Sequence, residues 1–276
     1  MRLDSLTGLR WWAAFAVFCY HMMSFAPVPG LGAVARFGNH GVAFFFLLSG
    51  FVLTWSAGIS GTTVANFYWR RFARIYPAHV LALLVAVPVF YSVTSVTPDP
   101  SQFWVKPFAV VPLLLSLTLL QSWFKEPSIL FSGNPAAWTL GVEAFFYALH
   151  PWLSRLLVRV SRRGALLALG AVTAVVVLHR VVVIRDPSGL LADLPIPVAR
   201  LEEFVMGMVV ARLVQLGAGR RIRPWMGYTT IAVFVTWSAL SRCYGWADPW
   251  SVWARNLELQ ILAVLFALTI LGVANN

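Results

Sequence analysis

The sequence predicts an all-α fold, a polytopic transmembrane helix bundle of about eight to nine spans, with residues 1–276 forming a single integral membrane domain. Three observations predict it. Hydrophobic residues make up 59% of the chain and charged residues only 11%, whereas a soluble domain carries about 25% charge. The apolar residues gather into runs of about 20, the length that crosses a hydrocarbon core of about 30 Å. Between those runs the basic residues fall in short clusters, the pattern of cytoplasmic membrane loops.

Spans are expected near 9–28, 40–58, 75–96, 138–157, 164–184, 198–216, 225–243 and 255–274. The first run stands close behind Arg2 and Arg10, but no A-x-A cleavage site follows it and His21 lies within it. It therefore reads as a retained span rather than a signal peptide. The second, HGVAFFFLLSGFVLTW, carries the small pair Ser49-Gly50. Such a pair permits close approach of another helix backbone; direct contact with a ligand is the other reading. WRRFARIYP leads into the third run. A further apolar stretch, 107–123, is shorter and holds Pro107 and Pro112. The later runs are divided by arginine clusters, and the chain shows no internal repeat and no low-complexity segment.

Orientation follows from the arginines. With the N-terminus in the cytoplasm, Arg70, Arg71 and Arg74 are inside after two crossings. The clusters Arg155, Arg159, Arg162, Arg163 and Arg212, Arg220, Arg221, Arg223 share that side only if an even number of spans separates them from the first. A full crossing at 107–123 breaks the parity, so this stretch is expected to be re-entrant or surface-lying. Eight crossings then make a multi-pass protein of the cell membrane with both termini cytoplasmic. Thirteen basic residues face inward against one acid, Asp4, and the outer side carries eight of each sign.

The formal charge of +11 would suggest nucleic acid in a soluble chain. Here no basic stripe interleaved with aromatics lies on a polar face, which argues against nucleic acid as a partner. Cys19 and Cys243 show neither metal-ligand spacing nor a disulfide framework. They read as small hydrophobes in helix packing, and no metal site is expected.

Ionisable groups within a span cost about 2.5–3.5 kcal/mol each on insertion scales, so each needs a reason. Arg10 and His21 lie eleven residues apart in the first run. At about 100° per residue they come within about 20° of one face, about 16 Å apart along the axis. Arg10 also fits as a cytoplasmic anchor, and His21 as a buried, hydrogen-bonded histidine. In WTLGVEAFFYALHPWL, Glu143 is followed on its face by Tyr147 at i+4 and His150 at i+7. A carboxylate there must be protonated or paired, either in an intramembrane polar site or in a helix–helix contact. Arg71 and Arg74 stand at i, i+3 on one helical face. Adjacent guanidiniums repel unless an anion bridges them, and phosphate suits their fork. The alternative is a topology signal that binds membrane lipid headgroups.

Together these pieces resemble the membrane-bound acyltransferase 3 family. LDSLTGLRWWAAFAVFCYH, FFFLLSGFVLTW, RRFARIYP, NPAAWTLGVEAFFYALHPWL and RLEEFVMGMVVARL follow in the family's order over residues 3–215. The resemblance implies transfer of an acyl group, commonly acetyl, from cytoplasmic acyl-CoA. The implied acceptor is a hydroxyl of a cell-envelope carbohydrate or of a secreted small molecule such as an antibiotic. By position, His21 matches the family's essential first-helix histidine and Arg10 its first-helix arginine. Arg71 and Arg74 match its R-x-x-R motif, and Glu143 the glutamate after its W-S-L-like sequence, here Trp138-Thr139-Leu140. The family usually carries more spans than the eight or nine found here, and the difference is C-terminal.

On this resemblance Arg10, Arg71 and Arg74 are expected to hold the phosphates of acyl-CoA, a co-substrate, at the cytoplasmic mouth. His21 is expected to act as general base, with Glu143 orienting it or stabilising its charge; a covalent acyl-histidine is the other route. Two other classes share the polar intramembrane residues. A small transporter or exporter should show repeated halves or helices broken at matching positions. A catalytically silent subunit of an envelope-assembly complex should leave labelled acyl-CoA untouched.

Overall fold

The computed structural model describes residues 4–60, 63–92 and 105–275. Ten helices of eight residues or more follow one another among them. The first five are α1 Asp4–Phe25, α2 Gly41–Ser60, α3 Val64–Phe90, α4 Val110–Leu117 and α5 Trp138–Leu157. Then come α6 Arg162–Arg185, α7 Leu201–Gln215, α8 Pro224–Cys243, α9 Pro249–Asn256 and α10 Glu258–Ala274. A two-residue parallel pairing joins β1 Tyr91–Ser92 to β2 Lys106–Pro107.

Short polar signals set the helix ends. Thr63 accepts the Asn66 N–H at 3.3 Å to start α3, Ser161 accepts the Gly164 N–H at 3.2 Å to start α6, and Asp248 accepts the Ser251 N–H at 2.9 Å to start α9. Each satisfies an amide that the helix cannot bond internally. At the other end of α7, Gly217 adopts φ +71°. Ala218 N–H then donates to Leu213 O and Gly217 N–H to Val214 O, the closing pair of a Schellman turn.

By length and apolar composition alone, three helical stretches among the described residues can cross a membrane: Arg36–Ala57, Val64–Phe90 and Arg162–Arg185. The pair α9 and α10, bent by 67°, makes a fourth if it is one span. Helices occupy the other expected places, 9–28, 138–157, 198–216 and 225–243, but do not pass that test. Helix α1 holds Arg10 and His21, α5 holds Glu143 and His150, and α7 has 15 residues, about 22 Å.

Three boundaries differ from expectation. The helix expected at 75–96 begins at Val64 and ends at Phe90, so Arg70, Arg71 and Arg74 lie inside it rather than ahead of it. Residues 93–96 lie outside the described residues. The span expected at 255–274 breaks at Leu257. Within 107–123 the helix is eight residues long, about 12 Å, so it cannot cross alone.

The chain divides into two compact units, one of residues 1–60, 153–193 and 202–276, the other of 61–152 and 194–201. In the first, Phe44, Leu47 and Phe51 of α2 are buried with Met206, Val210 and Leu213 of α7 and with Ala267 and Ile270 of α10. Gly50 faces the backbone of Phe204 and Met208, and Gly207 faces that of Leu47 and Phe51. Helices α2 and α7 thus meet backbone to backbone, and Gly50 of the Ser49-Gly50 pair serves helix packing.

In the second unit, α3 and α5 are joined by the Tyr68 hydroxyl donating to Ala148 O at 3.0 Å. Polar contacts pin the 105–137 segment between them. Lys106 Nζ donates to Pro127 O at 3.1 Å and Phe131 O at 2.9 Å. The Tyr91 hydroxyl bonds that of Ser132 and accepts the Gly133 N–H at 2.8 Å. Gln121 Nε2 donates to Ala137 O at 3.0 Å.

Candidate functional site: a cationic cleft between α3 and α5

The second unit contains a cleft of about 250 Å³. On α3, Tyr68, Arg71, Phe72, Ile75 and Tyr76 line it, spaced as one helical face. On α5, Leu140, Ala144, Tyr147 and Ala148 form the opposite wall, and Leu119 closes it from the turn after α4. Apart from the Arg71 guanidinium and the tyrosine hydroxyls, the lining is apolar.

Arg71 enters from the α3 side. Its guanidinium carbon lies 5.7 Å from the centroid of the Phe67 ring, one turn earlier and within cation–π range. Its Nε is buried without a hydrogen-bond partner among the described residues. Arg70 and Arg74 are its like-charged neighbours, while Glu143 and Tyr147 act on it from α5. The Tyr147 hydroxyl donates to Glu143 Oε2 at 2.8 Å, realising the i, i+4 contact that their spacing allows. Arg74 is exposed, one turn beyond Arg71. The result is a concentrated positive charge at an apolar slot, suited to a molecule with an anionic head and an apolar tail. His150, third on the same face in the sequence, is buried and stacks on Phe67 at 5.2 Å.

The turn that brings Leu119 to the cleft is strained. Leu119 has φ +60°, a left-handed conformation costing a branched L-residue about 1–2 kcal/mol. Leu120 N–H donates to Leu115 O at 2.8 Å and Leu119 N–H to Ser116 O at 3.1 Å. The buried His79, from α3, donates its Nε2–H to the same Ser116 carbonyl at 2.9 Å. From α5, Gly141 lies so close that a Cβ there would stand 2.7 Å from Leu119 O. Both walls therefore clamp the turn. Residues held in such conformations gather at functional sites.

Arg71, Arg74 and Glu143 thus share one unit, and Arg10 and His21 lie in the other. The latter two ride on the unbroken α1, which keeps them on a common face. His21 is exposed, with its ring 5.3 Å from that of Tyr20, and Arg10 is half-buried.

Sequence reasoning missed several residues of the cleft. Tyr68 and Tyr76 flank Arg71 at helical spacing, and Phe67 stands at i−4, so a signal was present for all three. Leu119 had none, because nothing in an apolar run forecasts a left-handed turn. Also unforeseen is an ion pair in the first unit, where Arg242 Nη2 lies 2.8 Å from Glu258 Oε2 and Nη1 lies 3.2 Å from Oε1. The Ser238 hydroxyl donates to Oε1 at 2.6 Å, and His40 Nε2 stands 3.9 Å from Oε2. Among the described residues no group of three or more His, Cys, Asp or Glu could hold a metal.

Long apolar helices mark the chain as a helical membrane protein. It belongs to the acyltransferase 3 family, whose model, an acyltransferase domain, matches residues 3–276. It is similar to the acyltransferase MdmB of Streptomyces mycarofaciens, 35% identical over 237 residues, which are 80% of this chain and 59% of that protein. It also resembles nodulation protein 10 of Rhizobium leguminosarum bv. viciae, 32% identical over 140 residues, 47% of this chain and 37% of the other. The chain therefore spans less than two thirds of either curated relative. No solved structure matches it.

Proposed function

We propose that the protein is an acyl-CoA-dependent O-acyltransferase of the cell membrane. It moves an acyl group, acetyl in the simplest case, from cytoplasmic acyl-CoA to a hydroxyl of a cell-envelope carbohydrate or secreted metabolite. The observation that carries this reading is Arg71, half-buried with an Nε that has no hydrogen-bond partner among the described residues, in the lining of an otherwise apolar cleft. In a chain of this family, that pairing of charge and apolar surface matches a phosphorylated thioester. A relative named an acyltransferase, 35% identical over most of the chain, supports the reaction class.

In this reading Arg71 and Arg74, with Arg10, hold the donor's phosphates at the cytoplasmic side. His21 takes the proton of the acceptor hydroxyl as its oxygen attacks the thioester carbonyl carbon. The carbonyl reforms, the carbon–sulfur bond breaks, and the departing CoA thiolate recovers the proton from the imidazolium. Glu143, held by Tyr147, supplies the negative charge that balances the arginines and that can stabilise a charged His21. Eight crossings, with both termini cytoplasmic, put the donor on the side of the arginine clusters.

The test uses purified full-length protein, labelled acyl-CoA and a panel of hydroxyl acceptors. His21→Ala should abolish transfer, by about 100-fold or more, while leaving donor binding intact; retained transfer in the folded variant would sink the general-base role. Arg71→Glu with Arg74→Glu should weaken donor affinity by about tenfold or more. Unchanged affinity would exclude the phosphate role.

A further inference from the structure

The short helix α9 carries its polarity the wrong way round for water. Ser251 and Arg255 share its inner face at i, i+4. Ser251 is buried, and the Arg255 guanidinium donates to the Ser241 hydroxyl at 3.2 Å and to Trp246 O at 2.9 Å. Trp250 and Trp253, at i, i+3 on the other face, are 85% and 38% exposed. Tyr244 and Trp246 of the preceding turn are exposed as well. The charges beside these rings are engaged: Arg242 pairs with Glu258, Arg255 is turned inward, and the Asp248 carboxylate accepts the Ser251 N–H. A tryptophan ring is apolar over most of its surface with one N–H at its edge. That suits the boundary between lipid headgroups and acyl chains better than either water or hydrocarbon.

The bend between the last two helices agrees with such a setting. Helix α9 is turned 67° from α10, and spanning helices tilt about 20° from the membrane normal. With α10 as the crossing helix, α9 lies nearer the membrane plane than its normal. The 17 residues of α10 run about 25 Å, and the eight of α9 at that angle add only about 5 Å of depth. A hydrocarbon core is about 30 Å thick, so α9 falls at its edge.

We infer that α9 is an in-plane anchor, seated at the headgroup–acyl boundary with Trp250 and Trp253 turned to the phospholipid, while α10 makes the crossing. The face is continuous with a spanning helix, and with the neighbouring charges engaged it selects by amphipathic character rather than by ionic contact. Arg255 ties α9 to α8, and Glu258 ties α10 to α8. The anchor therefore fixes the depth at which α8 ends and α10 begins.

Spin labelling of the full chain in phosphatidylcholine nanodiscs tests this. With Cys19 and Cys243 replaced by serine, nitroxides are attached in Trp250→Cys and Trp253→Cys. Ser188→Cys, in the exposed loop after α6, is the aqueous reference, and Val175→Cys, exposed midway along α6, the hydrocarbon reference. The ratio of oxygen to nickel-chelate collision rates at 250 and 253 should fall between the references, at least about threefold above that at 188, as for a depth of about 5–10 Å. Ratios equal to that at 188 overturn the anchor and leave the face to a soluble partner such as a carbohydrate chain. Ratios equal to that at 175 overturn it too, making α9 and α10 one bent span. Labels shielded from both reagents also overturn it, since another protein surface then covers the face. Should a cysteine variant misfold, the milder pair Trp250→Phe and Trp253→Phe carries the test. It should remove a larger share of the fluorescence quenching by lipids brominated high on the acyl chain than of that by aqueous iodide. An equal or opposite order overturns the anchor.

Discussion

Tyr147 shows how much one hydroxyl can organise. It donates to Glu143 on its own helix while lining the cleft that Arg71 enters. A hydrogen bond to a charged group contributes about 1.5–3 kcal/mol, so its loss should be visible. Tyr147→Phe is expected to lower the melting temperature by a few degrees, as a lost bond of about 1.5–3 kcal/mol would, and to lower kcat/KM for the acyl donor about tenfold as Glu143 loses its partner. A variant with unaltered kinetics would make the contact merely structural. At this scale the sequence was half legible. Glu143, Tyr147, Arg71 and Arg74 are readable from i, i+3 and i+4 spacing, because a helix fixes which residues meet. Which helix face meets which partner helix is a tertiary fact, so the pairing of the Arg71 stripe with the Glu143 stripe was not readable. Neither was Leu119, whose conformation is imposed by His79 and Gly141 across the turn.

Among the elements, α2 and α7 make a close crossing, with Gly50 and Gly207 each set against the other helix's backbone. No side chain can rotate away there, so added bulk must part the helices. Gly207→Val is expected to cost about 3 kcal/mol, at the upper end for overpacking. Thermal melting in detergent reads it, and a transition within a degree of wild type would mean the crossing is looser than described. Ser49-Gly50 announced this contact in the sequence, since small residues in an apolar helix permit close approach. The break of the last expected span at Leu257 gave no such notice. An averaged apolar run hides a single buried acid, and Glu258 at that break is tied to Arg242 on α8. Likewise the true start of α3 at Thr63 is a capping event, ahead of the apolar run that marked its span.

For the whole molecule, the arithmetic of inside and outside is the sharpest expectation. The eight-residue α4 is too short to cross, which is what the arginine parity required of 107–123. The expectation of eight crossings with cytoplasmic termini puts residues 186–193 outside and the Arg220–Arg223 cluster inside. With Cys19 and Cys243 replaced by serine, a cysteine placed at Ser188 should react with a membrane-impermeant maleimide on intact cells. One placed at Arg221 should react only after permeabilisation. The reverse pattern would invert the topology and put the arginine pair on the wrong side for a cytoplasmic donor. All-helical, membrane-spanning character was legible from composition; the span count was not, because the helices that carry polar chemistry look less apolar for that very reason.

The meeting of Gly50 with Gly207 also has a temporal side. More than 150 residues of chain separate them, and the second unit is laid down between. A nascent α2 therefore enters the bilayer with its backbone groove bare and must wait, through much of synthesis, for α7 to fill it. Any lesion that delays α7 is then a defect of biogenesis, felt in abundance before it is felt in catalysis.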